Sequence, residues 1–326
     1  MVIQNGKILL QKGYGYADIT NEIPISPDTA FDLASVSKQF TAMAILILME
    51  RGKLNLDDSI TKFIVGFPPY AKEITIRHLL NHTSGLPDYA QLFSKTGLVS
   101  NDYPRSSKGP FGGWEPTTRD TLKLLAQQEH LISKPGSVWS YSDSGYVVLA
   151  EIIERASGMK YGDFLKKNIF DPLGMKETVV YDERKPRIPN RAISYASWLV
   201  LYHEIDYTPL NFIYGDGNVN STIRDLYRWD QALYTEKLIR HETMDQAFTP
   251  GTLSDHSAIP YGFGWRLDTY GSDKYLWHSG SWLGFGSMIA RIPEQRFTVI
   301  LLVNCSCLEV ESSVSRILDI YLGAGK

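Results

Sequence analysis

The stretch Asp32-Leu-Ala-Ser-Val-Ser-Lys-Gln-Phe-Thr-Ala42, continued by Met43-Ala-Ile-Leu-Ile-Leu48, predicts a helix that is apolar nearly all round. A helix of that kind is buried. Ser35 falls in its first turn and Lys38 one turn on, the spacing that stacks two side chains on one face. A lysine so placed loses solvation of its charged form, so its pKa falls and it can take a proton near neutrality. Serine needs such a partner to act as a nucleophile, and the backbone N–H groups of a helix start can stabilise an oxyanion. The alternative is a serine N-cap and a lysine that snorkels to the surface. Ser-x-x-Lys also occurs at Ser59 to Lys62 and Ser157 to Lys160. The first follows Asp57-Asp58 on a short surface helix, and the second precedes Gly158 at a helix C-terminus.

Around this helix the chain divides. Met1 to Gln11 reads as two short strands about Asn5-Gly6, a hairpin turn pair. Tyr261 to Leu267, Tyr275 to His278, Gly286 to Arg291 and Thr298 to Asn304 read as antiparallel strands. A closing helix carries Val310, Val314, Ile317, Leu318 and Tyr321 at steps of three and four. Helical patterns fill the middle at 38–51, 76–80, 119–128, 145–156 and 161–169. Ser84 to Thr118 reads as a long loop, more often functional than idle. The fold class expected is α/β (α+β): an antiparallel sheet flanked by helices, with a large, mostly helical insertion. Residues 1–30 and 215–326 form the sheet domain, 31–214 the helical one, and the active site lies in the cleft between them.

Lys+Arg 33 against Asp+Glu 36 in 326 residues leaves a net charge of −3, with no basic run to attract nucleic acid or an anionic membrane. The partner expected is a small molecule. Ala42 to Met49, the longest apolar stretch, is far short of the roughly 20 residues of a membrane span, so the chain reads as soluble. Its compartment stays open, extracytoplasmic if a leader has been removed. Cys305 and Cys307 close an apolar run in which strand geometry sets their Cβ atoms roughly 6 to 7 Å apart, and no disulfide is expected. No Gly-x-Ser-x-Gly elbow and no complete dinucleotide fingerprint occurs, so no cofactor is implied. His78 and His82 lack the intervening Glu of a zinc peptidase, and no metal is expected.

The segment at Ser35 resembles the active-site segment of the serine β-lactamase and penicillin-binding-protein superfamily, in particular its class C β-lactamase and esterase-like branch. Leu79-Leu-Asn-His-Thr-Ser-Gly-Leu-Pro-Asp, Pro135-Gly-Ser-Val-Trp-Ser-Tyr-Ser-Asp, Gly215-Asp-Gly-Asn-Val-Asn-Ser-Thr, Tyr261-Gly-Phe-Gly-Trp and His278-Ser-Gly-Ser resemble further family blocks in order. The resemblance covers nearly the whole chain. It implies a β-lactamase/transpeptidase-like fold, Ser35 as nucleophile, Lys38 as proton acceptor and Tyr141 as proton relay. It also implies His278 as a further catalytic residue, in a third motif His278-Ser279-Gly280 on a strand lining the cleft, and the N–H groups of Ser35 and Ser281 as the oxyanion hole. Asp143, Ser279 and Gly280 are then substrate-binding. Lys95-Thr96-Gly97 spells the family's usual third motif but precedes Tyr141, and Tyr-x-Asp at Tyr16, Tyr161 and Tyr214 lacks the family's flanks.

Three departures follow. Asp143 replaces a customary Asn: its carboxylate cannot donate when ionised, and it favours a protonated Lys38, which would in turn lower the pKa of Tyr141 and make its phenolate the base. The reading that results is a proton shared by Lys38 and Tyr141, with neither ranked as the base. His278 replaces a permanent cation, which weakens recognition of a substrate carboxylate and turns expectation towards uncharged esters or amides. Met1 already lies within the first strand, where the family has a preceding helix. Either the chain is truncated or that element is missing, and its loss would expose apolar sheet surface and favour a homo-oligomer. The function expected is a serine hydrolase working through an acyl-enzyme. The alternatives are a β-lactamase or D-Ala-D-Ala peptidase on the same residues, and a catalytically silent scaffold on the same fold.

Overall fold

The computed structural model describes residues 1–95, 115–181, 188–198 and 201–323. In chain order the strands that frame the site are β1 (Val2–Gln4), β2 (Lys7–Leu10), β3 (Ala30–Asp32), β4 (Val219–Thr222), β5 (Arg266–Tyr270), β6 (Asp273–Trp282), β7 (Phe285–Ile292) and β8 (Phe297–Val303). The main helices are α1 (Lys38–Glu50), α2 (Ile76–Leu80), α3 (Tyr89–Lys95), α4 (Thr118–Ala126), α5 (Asp143–Ser157), α6 (Ile223–Ala232) and α7 (Val310–Leu322).

Both ends of the chain enter one antiparallel sheet of order β5-β6-β7-β8-β1-β2. Val2 pairs with Val299 and Gln4 with Phe297, and β1 turns into β2 through Asn5 (φ 51°) and Gly6 (φ 73°). Two successive positive φ values are what the tight hairpin turn needs, and Asn-Gly supplies them at least cost. Strand alternation then sorts the side chains. Met288, Ala290, Ile292 and Val299 pack under Val314 and Leu318 of α7, while Ile3, Ile289 and Ile300 face the main core with Leu226 and Trp229 of α6. On that inner face Arg291 and Asp230, both buried, form an ion pair of 2.7 Å, and Thr298 donates to the same carboxylate oxygen. At the sheet's edge Ile8, Leu9 and Leu10 of β2 are exposed.

A smaller sheet of β3, β4 and the short strand Val179–Val180 joins the two ends to the helices. Ala30 pairs with Thr222 and Asp32 with Asn220, so the chain segments just beyond β3 and just before β4 emerge side by side. The helical layer packs α5 against α1, α2 and α4. Every residue of α1 from Lys38 to Leu48 is buried, as an all-round apolar helix requires.

Three local expectations differ. Ser35 sits in a 3-10 turn, Ala34–Ser37, that runs into α1 rather than in the helix proper. The strand expected from Tyr261 begins only at Arg266, because Gly264 (φ 77°) turns the chain where an added Cβ would lie 2.9 Å from the carbonyl oxygen of Lys38. Cys305 and Cys307 form a disulfide, with Cα atoms 5.1 Å apart. β8 has ended at Val303 and the chain turns at Ser306, so the strand spacing that kept the sulfurs apart does not apply. Most of the expected loop after Ser84, including Thr96 and Gly97, lies outside the described residues, which include α3 at its start. Among the described residues no helix is long and apolar enough to cross a membrane.

Candidate active site

Backbone bonds from both sheets pin the turn that carries Ser35. Leu33 N–H donates to Val219, the carbonyl of Leu33 accepts from the Ser287 hydroxyl at 2.6 Å, and the Ser37 hydroxyl accepts from Val219 N–H. Ala34 is held at φ 46°, a left-handed value that costs a non-glycine residue about 1 kcal/mol or more. The Asp32 carboxylate, accepting Ala34 N–H at 2.7 Å, helps hold it there.

Lys38 is fully buried, and its Nζ meets three acceptors: Ser35 Oγ at 2.9 Å, the Asp216 carbonyl at 2.9 Å and Asp143 Oδ1 at 2.7 Å. Two hydrogen bonds and an ion pair thus surround the amine. Burial pulls its pKa down, but Asp143, Tyr141 and Asp216 outweigh burial and carry it above the ordinary lysine value. The lowered lysine pKa expected from burial alone is therefore overturned by Asp143, the first residue of α5. The phenol of Tyr141 is within reach of both Ser35 and Lys38, and burial raises its pKa more than Lys38 lowers it. A phenolate stabilised at rest is thus not what this environment produces.

His82 grips Tyr141 from three sides. Its carbonyl accepts Ser140 N–H at 2.9 Å, its Nδ1 meets Ser142 N–H at 3.1 Å, and its ring lies 4.3 Å from the Tyr141 ring. It does so from a left-handed backbone, φ 58°. Burial, Lys38 and His278 keep its imidazole neutral.

β6 forms the other wall. An added Cβ on Gly280 would stand 2.3 Å from the carbonyl oxygen of Leu33 and 2.9 Å from Ser35 N, so only glycine lets this strand lie against the nucleophile's backbone. Ser281 lines the cleft with Ser35. His278 is buried and does not line it: Nδ1 donates to the Ser279 carbonyl at 2.6 Å and Nε2 accepts from the Tyr261 hydroxyl at 2.9 Å. Burial, then Lys38, pushes its pKa down to about 3. Ser279 turns its hydroxyl away, to Glu311 on α7 at 2.7 Å, so its side chain is not part of the cleft as expected.

The facing loop brings residues to which the sequence reading gave no role. Asp216 is buried, and its Oδ2 accepts from the Tyr89 hydroxyl at 2.9 Å. Asn218 donates to the carbonyls of Asn211 and Ile213, and Trp282 of β6 donates to Asn211 Oδ1, tying loop to strand. Asp216 and Asn218 stand in the Gly215 block and His82 in the Leu79 block, so both segments were visible in the sequence without their contacts.

The Beta-lactamase family model matches residues 1–314. Penicillin-binding protein 4* of Bacillus subtilis (strain 168) is 39% identical over 322 residues, covering 93% of this chain and 67% of that protein. A second match in the same organism is covered over 61% of its length, so the chain spans about two thirds of such relatives. Among solved structures, an octameric penicillin-binding protein homologue from Pyrococcus abyssi superposes with TM-score 0.85 at 28% identity, over 99% of this chain and 73% of that one. A D-amino acid amidase from Ochrobactrum anthropi SV3 gives TM-score 0.76 at 27% identity, over 93% and 84%.

Proposed function

This chain belongs to the Beta-lactamase family of serine hydrolases, and on that premise we propose that it hydrolyses small esters or amides through an acyl-enzyme on Ser35. The carrying observation is the 2.9 Å contact between Ser35 Oγ and a buried Lys38 Nζ, at a cleft lined by Ser35 and Ser281. Ser35 Oγ attacks the substrate carbonyl carbon, and its proton passes into the Lys38–Tyr141 pair. The oxyanion rests on the N–H groups of Ser35 and Ser281. The carbonyl bond to the leaving group breaks as that group takes the proton from the pair; water then attacks the acyl carbonyl and gives a proton to the pair, and the Ser35 Oγ–acyl bond breaks as Oγ takes that proton back and the acid leaves. Because Lys38 rests as an ammonium, catalysis draws on the fraction of the pair that has lost a proton.

Amide as well as ester leaving groups are supported by the likeness to the D-amino acid amidase. A β-lactam or D-Ala peptide carries a carboxylate, and among the described residues no Lys, Arg or His lines the cleft to meet it. The test compares p-nitrophenyl acetate with nitrocefin. Ester kcat/KM at least about tenfold higher, lost about 1,000-fold or more in Ser35→Ala, is expected. Nitrocefin turnover equal to ester turnover favours the β-lactamase reading, and wild-type protein no faster than Ser35→Ala on either favours a silent scaffold.

A further inference from the structure

The two cysteines of the chain close a ring on each other across one residue, Ser306. A loop this short removes the least conformational entropy from the unfolded chain, so the bond is a poor staple for the fold. It is also within reach of solvent. Cys305 is half-buried and Cys307 exposed, and both line an apolar groove with Leu10, Tyr16, Leu302 and Ile317.

The two sulfurs are not equivalent. Cys307 N–H donates to Cys305 Sγ at 3.2 Å. A donor aimed at that atom stabilises the negative charge it acquires on leaving a disulfide, which directs an attacking thiolate to the other sulfur. Exposure selects the same sulfur. We propose that Cys305–Cys307 is an exchange site for low-molecular-weight thiols, entered at Cys307, whose opening slackens the cleft wall at Trp282. A thiolate RS⁻ bonds to Cys307 Sγ as the Cys305–Cys307 bond breaks, and Cys305 Sγ leaves with the electron pair. A second RS⁻ attacks the R sulfur of the mixed disulfide, releasing Cys307 as a thiolate and RSSR. Two thiols are oxidised to one disulfide, the protein pair gains two electrons, and the reverse sequence with RSSR closes the ring.

The path to the cleft is short. The ring holds its Cα atoms 5.1 Å apart, whereas two residues of extended chain span about 6.6 Å. The residues flanking Cys305 clasp Tyr195: Tyr195 N–H donates to the Asn304 carbonyl at 2.9 Å, and Ser306 N–H to the Tyr195 carbonyl at 3.0 Å. Gly284, in the turn between β6 and β7, packs so closely that an added Cβ would stand 2.3 Å from the Tyr195 carbonyl oxygen. Trp282, two residues earlier, lines the cleft and donates to Asn211 Oδ1. Opening the ring frees Ser306 to move, and the Tyr195 backbone and the Gly284 turn lose their backing with it.

The experiment equilibrates the full chain in mixtures of cysteamine and cystamine, quenches with acid and maps the adducts by mass. The ring is expected to open and close reversibly, with the trapped mixed disulfide on Cys307 at least about fivefold over Cys305. On opening, amide hydrogen exchange at Tyr195, Ser306 and Gly284 should speed by about tenfold or more. The double variant Cys305→Ser/Cys307→Ser should exchange at the reduced rate and ignore cysteamine. A ring that stays closed in excess cysteamine, or an adduct favouring Cys305, overturns the exchange site. An open ring with unchanged amide exchange overturns its link to the cleft wall. Neither readout depends on turnover, so failure here leaves the hydrolase reading standing, and a protein inert to every ester leaves the exchange site standing.

Discussion

At the scale of single residues, the chemistry turns on Asp143. Burial, the largest single influence on Lys38, lowers its pKa, and the Asp143 carboxylate, joined by Tyr141 and Asp216, more than offsets it and favours the protonated amine. The sign for activity follows. The proton-accepting form of the Lys38–Tyr141 pair grows as pH rises, and both groups have pKa values raised above their ordinary ones. Wild-type kcat/KM is therefore expected to keep climbing with pH above neutrality. Asp143→Asn lowers the Lys38 pKa, so the rising limb should move to lower pH by about one unit or more. A pH–rate profile superimposable on wild type would mean that this carboxylate does not set the base. His278 shows the opposite case: its type was legible in the sequence, but its engagement by Ser279 and Tyr261 was not, since both bonds depend on how β6 packs.

At the scale of elements, strand β6 and the turn before α1 act as one unit, because Gly280 lets two backbones touch. Gly280→Ala must push β6 off the Ser35 turn by a substantial fraction of an ångström or more. A displacement of that order costs about 100-fold in kcat/KM, and a folded variant with near-wild-type circular dichroism should show that loss. Activity within about threefold of wild type would separate β6 from the oxyanion hole. Elements whose signal is local were legible: the Asn5-Gly6 hairpin, the buried α1 and the period of α7 all form where the pattern placed them. Elements decided by contact were not. The Tyr261 segment bends because it meets α1, and the Cys305–Cys307 pair forms because β8 stops before it.

At the scale of the whole molecule, strands from the two chain ends and helices from the middle meet at one cleft, and the small sheet of β3 and β4 sets its two lips side by side. Ser35 and Lys38 were readable from their spacing because one turn of chain holds them, and Tyr141 only through the resemblance of its block to the family's. The buried place of Asp216 was not, because it depends on Tyr89, distant in sequence, and on a loop knitted by Asn218. The central claim is a covalent intermediate on a single hydroxyl. Intact-protein mass spectrometry after exposure to a fluorophosphonate and, with rapid acid quench, to a p-nitrophenyl ester reads it directly. One adduct per chain is expected, mapping to the peptide that contains Ser35 and absent in Ser35→Ala. Turnover with no adduct, or an adduct that persists in Ser35→Ala, would contradict the account.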